Sequence, residues 1–415
     1  LFQNVALNEE RTGHAVRMML SALGSVFLWQ LVIYCRALSP VQSLGPSWVK
    51  QPHPIEDLLQ LTTTISRKKP GSLQYQKTWI TWSTLAIEHI RYDLSQNLPH
   101  PVNRAATRVL EHELALVGDT GIVTPLLFAN PGSRSGYALD FFGRVRRLAD
   151  TVLLFRQQQS EQQQQLPNDE TVAANAIQNA LLQLLSNSEN GGGDGSRDVC
   201  RVTSIGGGPG YDYVGLCLVA SFLNCRTDSS VSSIQATVFD YEVGWGDLVD
   251  SMHQSANRIL RQLNFEGHSC TFGGGCDIIK GMDDAVNHVF RDAVKATNIF
   301  VCQYCIAENA VGLRESDFIF FRDLFDRAND GAIFVFTETT HRLWPDVIGQ
   351  LVGGFEVAFV KNRSFQLLVR KRGGADIGHE VREQCASILQ NVTLHSVKRK
   401  AGYIRQTKEE FRRTS

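Results

Sequence analysis

Net charge is the first thing this chain lacks. Its 415 residues carry 41 Lys and Arg against 42 Asp and Glu, a formal net charge of −1. The molecule as a whole therefore exerts no strong pull on nucleic acid, and any such contact must come from a local patch. A disulfide framework is lacking too. The nine cysteines are an odd number scattered through apolar segments (Cys217, Cys225, Cys302, Cys305), the pattern of buried thiols in a reducing compartment. Cys302-Gln-Tyr-Cys305 has metal-ligand spacing, but no second pair or histidine cluster completes it, so no metal site is expected. Two phosphate-binding signatures are missing as well. No glycine-rich turn ends in Gly-Lys-Ser/Thr, and the spacing G-x-G-x-x-G fails because Gly208 leads to Tyr211 and Gly210 to Tyr213.

What the chain does have is the stretch from Arg201 to Leu216, an apolar run that breaks into Gly206-Gly207-Gly208-Pro209-Gly210 and then resumes. Val202 and Ile205 are strand formers, and Val214, Leu218, Val219 and Phe222 recur at helical spacing, so the stretch reads as strand, loop, helix. Glycines let backbone amides approach a ligand without a Cβ in the way. In a doubly wound sheet the crevice beside such a loop accepts an adenosine-bearing ligand. A glycine turn in an unrelated α/β domain is the competing reading.

The arrangement Val202, Ile205, Gly206, Gly208, Gly210 resembles motif I of the Rossmann-like S-adenosylmethionine-dependent methyltransferases. That resemblance covers about 198–372. It implies S-adenosyl-L-methionine as cofactor, held by Ile205, Gly206, Gly207, Gly208 and Gly210, and a closing antiparallel strand pair. One position departs from the motif: the acid usual before the first glycines falls on Ser204, while Asp212 follows the loop and joins the candidate cofactor residues.

Strand and helix patterns alternate after residue 198 as a parallel sheet requires. A second strand over 234–239 ends at Asp240-Tyr241-Glu242. The resemblance gives the acid at this strand end the ribose hydroxyls, with Asp240 the better match and Glu242 in reserve; a helix-capping acid is the alternative. Asp247 caps the helix expected to begin near Leu248. A third strand over 270–272 leads to Asp277, which the resemblance places near the adenine amine. A fourth strand over 298–302 empties into Gln303-Tyr304-Cys305-Ile306-Ala307-Glu308-Asn309. There the resemblance puts the residues facing the reacting atom: Gln303 toward the cofactor, Glu308 as base, Tyr304 and Asn309 as positioners of the acceptor. For Glu308, a helix N-terminal acid is an equal alternative. The Asn-Pro-Pro-Tyr form of amino-methylating enzymes is absent. A helix over 316–328, a strand over 331–336 and a hairpin of 355–360 with 364–370 complete the order.

The fold expected is α/β, a Rossmann-like doubly wound mostly parallel sheet with an N-terminal all-helical accessory domain. The segments are 1–46, an apolar leader or buried helix; 47–156, the accessory domain; 157–197, a Gln-rich stretch, a helix and a Gly-rich linker; 198–374, the methyltransferase domain; and 375–415, a basic tail. Within the first, Met18 to Cys35 is an apolar run flanked by Arg17 and Arg36. A buried helix is favoured over a leader because free cysteines argue for a reducing compartment. That places the protein in cytoplasm or nucleus, with an organellar or secretory route, and membrane contact, only if 18–35 is a leader or anchor. In the accessory domain a helix is expected to start at 55–59, after Pro52 and Pro54, and others to cover 79–94, 103–116 and 137–155. Arg144, Arg146 and Arg147 on the last read as a solvated face or as a phosphate contact.

The glycine-loop form and Trp245 also look faintly like a eukaryotic group containing ribosomal RNA uracil methyltransferases. The tail, with Lys398, Arg399, Lys400, Arg405, Lys408, Arg412 and Arg413 interleaved with Tyr403 and Phe411, adds a sequence-independent attraction to phosphate. RNA is thus the favoured methyl acceptor, ahead of a protein or small molecule. The alternative function is a catalytically inactive cofactor-binding or interaction subunit. Ser204 favours that alternative; the ordered strand-end acids favour an enzyme.

Overall fold

The computed structural model describes residues 48–65, 72–120, 128–160, 168–186, 199–225, 233–338, 343–351, 353–360 and 365–373. The apolar run 18–35, most of the Gln-rich stretch, the linker 187–197 and the tail 375–415 lie outside them.

Seven strands form one sheet in the order β3-β2-β1-β4-β5-β7-β6. They are β1 Val199–Ile205, β2 Ser233–Asp240, β3 Ser269–Gly275, β4 Ile299–Gln303, β5 Ile333–Glu338, β6 Gly354–Val360 and β7 Phe365–Arg372. The first five run parallel, and β7 returns antiparallel against β5 with Phe336 opposite Leu367. This is the mostly parallel, doubly wound sheet expected, closed by the antiparallel pair. Strand order reverses between β1 and β4, the switch point where ligands bind such sheets.

Parallel strands must bury both faces, and their side chains alternate between two cores. One face carries Val202, Val238, Val301, Val335 and Leu368. The other carries Phe239, Phe300, Phe334, Phe336 and Leu367, packed on Phe321, Phe325 and Trp344. Phe300 and Phe334, register partners on β4 and β5, stack at 4.9 Å and 8°.

The N-terminal helices are α1 Ile55–Ile65, α2 Leu73–Gln96, α3 Arg104–Thr120, α4 Pro131–Asp140, α5 Gly143–Ser160 and α6 Asn168–Ser186. The expected single helix over 137–155 is two, α4 and α5. Phe141 closes α4 by donating its N–H to Tyr137 O (3.0 Å), and the Arg144 N–H returns to Phe141 O (2.9 Å). Apolar spacing continues through this turn from Phe141 to Val145 and Leu148, so periodicity alone reads straight across it.

The break in pattern near residue 198 is not a break in the core. Helix α7 Tyr211–Asn224, which follows the glycine loop, packs against α5; a Cβ on Gly215 would lie 3.0 Å from Val145 O. Phe222 of α7 sits among Tyr75, Trp79 and Trp82 of α2, ring centroids 4.9 to 5.5 Å away. Accessory helices and sheet share one apolar cluster. Among the described residues no helix is long and apolar enough to cross a membrane.

Candidate active site

The carboxyl ends of β1, β2, β4 and β5 converge beside the loop. β1 stops at Ile205 because Gly206 and Gly207 turn away, the Gly206 N–H donating to Phe239 O on β2 (2.8 Å). Gly207 has no room for a side chain, since its Cβ would collide with Ser204 Oγ. Gly208 is different. Its backbone is left-handed (φ 51°), and a Cβ there would touch only the Trp245 ring, at an ordinary contact distance of 3.8 Å. Gly210, also left-handed, then starts α7.

Asp240 at the end of β2 braces this loop. Its Oδ2 accepts the Gly208 N–H (2.9 Å) and its Oδ1 the Glu242 N–H (3.0 Å). Burial pushes its carboxyl up to about 6, against the pull of those two amides. Glu242, the reserve ribose candidate, caps the turn that follows: its Oε1 accepts the Gly244 N–H (2.8 Å), and Arg134 approaches to 3.9 Å. Helix α8 Gly246–Gln262 begins before Leu248, so Asp247 lies inside its first turn. The Asp247 carboxylate accepts the Leu248 N–H (2.8 Å) and meets His100 Nε2 at 2.7 Å. Asp277 follows β3; it accepts the Ile279 N–H (3.1 Å) and donates its own N–H to Asn287 Oδ1 (2.8 Å).

Ser204 and Asp212 meet beneath the glycines. The Ser204 hydroxyl donates to one oxygen of the Asp212 carboxylate and the Gln303 amide to the other, so β1, α7 and β4 are tied by one buried acid. Burial raises the Asp212 carboxyl, opposed by both donors. A negative group does sit at this spot, eight residues later in the chain than the motif has it. Gln303 Oε1 keeps no partner among the described residues.

The β4 exit is held by β5. Tyr304 takes a left-handed backbone (φ 64°), rare for a residue with a side chain, and its N–H donates to Thr337 O (2.8 Å). Glu338 accepts the Ile306 N–H (2.7 Å), which fixes the turn leading to Glu308. Burial pushes Glu338 up to about 8 and Glu308 up to about 7; the Glu308 charge adds to the first, while Arg144 opposes the second. Asn309 donates its amide to Cys305 O (2.7 Å) and precedes helix α9 Ala310–Glu315.

From the accessory side, α5 sends Arg144 inward. Its guanidinium carbon lies 4.4 Å from the Tyr304 ring centroid and 5.3 Å from those of Tyr137 and Phe141. Arg146 is ion-paired with Asp150 (3.4 Å), and Arg147 also lies over the Tyr304 ring, at 5.2 Å from its centroid. The three arginines therefore do not form one solvated face. Burial raises the Tyr137 phenol, and Arg144 beside it pulls the other way.

The structure thus brings Asp212, Asp240, Gln303, Tyr304 and Glu308 around the glycine loop and binds Glu242 and Asn309 into turns. Sequence reasoning passed over Glu338 and the inward turn of Arg144. Glu338 ends β5 as Asp240 ends β2, a signal hidden because the strand was expected to stop at Phe336. Arg144 left no local signal, because its partner Tyr304 lies far along the chain.

No family model and no curated protein matches this chain. Solved structures with a similar chain course include an O-methyltransferase from neocarzinostatin biosynthesis in complex with S-adenosyl-L-homocysteine and 1,4-dihydroxy-2-naphthoic acid. It is 11% identical, with a TM-score of 0.28, over 79% of this chain and 99% of that one. Others are the precorrin-6y C5,15-methyltransferase of Geobacter metallireducens GS-15 (11% identity, TM-score 0.26, 48% and 89% of the two chains) and TrmN from Thermus thermophilus (14%, 0.27, 42% and 45%). This chain spans about half the length of the last. Similarity at this level assigns no activity or acceptor.

Proposed function

We propose that the protein is an S-adenosyl-L-methionine-dependent methyltransferase. The observation that carries this reading is the glycine loop at the β1/β4 switch point, with the Asp240 carboxylate hydrogen-bonded to the Gly208 amide. The residues suit that cofactor. A side chain at Gly208 would fill the cradle, the Asp240 oxygens keep lone pairs for ribose hydroxyls, and Gln303 Oε1 is a buried acceptor without a partner among the described residues. Ile205, Gly206, Gly208 and Gly210 shape the floor, Asp240 takes the ribose, and Asp277 is the candidate for the adenine amine.

When bound, the cofactor supplies an activated methyl group. The protein's share is to align the acceptor, exclude water and manage any proton. Glu308, half-buried and with its carboxyl at about 7, is suited to receive the proton that a hydroxyl or amine acceptor releases. Glu338 holds the turn that presents it. The missing acid at Ser204, the ground for an inactive subunit, loses force because Asp212 brings a carboxylate to the Ser204 hydroxyl.

RNA as acceptor gains nothing from the described residues: Arg146 is paired, Arg144 is turned inward, and the basic tail lies outside them. Calorimetry with S-adenosylhomocysteine tests the cofactor reading, with micromolar-range binding expected to the wild-type chain and none to a folded Gly208→Val variant. Equal affinity in the two proteins would remove the loop from the cofactor site.

A further inference from the structure

We propose that Arg144 and Arg147, laid against the Tyr304 ring, form a seat for a single anionic group on a small-molecule acceptor. The proposal rests on the methyltransferase reading and adds the acceptor's chemical class. Residues three apart on a helix share a face, so α5 presents both guanidiniums to one ring, at 4.4 and 5.2 Å from its centroid. Neither is within salt-bridge distance of a carboxylate among the described residues, whereas Arg146, between them in the chain, pairs with Asp150. Two like charges side by side repel, and burial together with the Arg144 charge makes Arg147 easier to deprotonate. Arg144 also lies in the first turn of an 18-residue helix, where the backbone dipole disfavours a cation. Against its burial, the Arg144 charge is favoured overall by Tyr137, Glu308 and Glu338 around it, so the cost that an anion beside the pair relieves is the repulsion felt by Arg147.

A second observation is independent of charge. The Tyr304 hydroxyl is buried, the residue only 5% exposed, and has no hydrogen-bond partner among the described residues. A buried donor of this kind normally has an acceptor. The left-handed backbone at Tyr304 and the clamp from Thr337 keep the ring under the arginines.

The geometry favours one anionic group over a polyanion. Binding a nucleic acid backbone takes several cations along an open surface. Here Arg144 is half-buried, Arg146 is paired, and Arg147 alone is exposed. Tyr137 and Phe141, within 5.3 Å of Arg144, give the seat aromatic walls suited to a planar acceptor. Glu308, the proposed base, is near enough to act electrostatically on Arg144, so the seat and the base belong to one site.

The test uses the full chain saturated with S-adenosylhomocysteine and inorganic phosphate as probe, followed by calorimetry. Arg144→Met should weaken phosphate binding by about tenfold or more, and the exposed Arg147→Met by about threefold, the scale of one charge-assisted contact. S-adenosylhomocysteine affinity should stay unchanged in both. In parallel, labelled cofactor is incubated with cell extract split into RNA, protein, and small molecules retained or not retained by an anion exchanger. Label is expected in the retained small molecules. No phosphate binding by the wild-type chain, equal binding by both variants, or label confined to RNA, protein or unretained molecules would overturn the seat while leaving the methyltransferase reading intact. Failure of the wild-type chain to bind S-adenosylhomocysteine would instead remove the methyltransferase reading, and the seat with it.

Discussion

The two halves of the crevice differ in how their polar groups are satisfied. At the β1 and β2 ends every named acid is held: Asp212 by Ser204 and Gln303, Asp240 by two backbone amides, Glu242 by Gly244. At the β4 and β5 ends Tyr304 OH, Thr337 Oγ1 and Glu338 Oε2 are buried with no partner among the described residues. Leaving one such group unsatisfied costs about 1–3 kcal/mol. The acids of the first half, the half proposed to hold the cofactor, are thus preorganised, although Trp245 Nε1 beside the loop also has no partner among the described residues. The second half, proposed to meet the acceptor, keeps unused donors and acceptors that a ligand could satisfy.

Substitutions can break that contrast, and the largest effect is expected in the preorganised half. Gly208→Val places a branched side chain in a left-handed backbone and beside the Trp245 ring, so S-adenosylhomocysteine binding should vanish while circular dichroism still reports a folded chain.

In the other half, Glu308→Gln should lower the methylation rate about 10²- to 10⁴-fold, the usual contribution of a positioned base, with cofactor affinity retained. Wild-type rate should rise with pH through about 7, where Glu308 loses its proton, and this limb should be missing in the variant. An unchanged pH profile in Glu308→Gln would assign the base elsewhere.

Asp240→Ala sharpens the comparison from the cofactor side. It removes an acceptor for ribose and the brace on Gly208, and should weaken S-adenosylhomocysteine binding by about 1.5–3 kcal/mol in calorimetry. Wild-type affinity should also fall as pH drops below about 6, because a protonated Asp240 accepts less well; the variant should not show this fall.

The last expectation concerns stability rather than binding. Glu338 has a folded-state carboxyl raised to about 8 from an ordinary value near 4.5, so the folded chain binds its proton more tightly than the unfolded chain. That contribution is fully present below about 4.5 and is lost as pH rises through about 8. Urea midpoints should therefore fall between pH 5 and pH 8, and Glu338→Gln should flatten the decline. Glu308 and Asp240, raised in the same sense, leave part of the slope in place.

Some of this crevice was legible in the chain, and the boundary is physical. Strand formers followed by glycines and a helical apolar period located β1, the loop and α7, because turn chemistry and periodicity act over a few residues. The acid at the end of β2 was found the same way. The end of β5 escaped because Thr337 and Glu338 look polar, yet both are buried where the turn after β4 bonds the Thr337 carbonyl and the Glu338 carboxylate. The two-helix break at Phe141 escaped because apolar spacing runs through it.

By itself, then, the sequence determined the order of elements, the glycine loop, the closing hairpin and Asp240. Tertiary structure alone decided that Asp212 folds back to Ser204, that Gln303, 91 residues away, completes the pair, and that Arg144 crosses from an N-terminal helix to lie on Tyr304. It also decided that the accessory helices and the sheet share one core, through Phe222 among Tyr75, Trp79 and Trp82. Local patterns record which face of an element is apolar; they do not record which distant face it meets. Burial of those faces against one another selects the partners, and the polar groups carried along with them become the site.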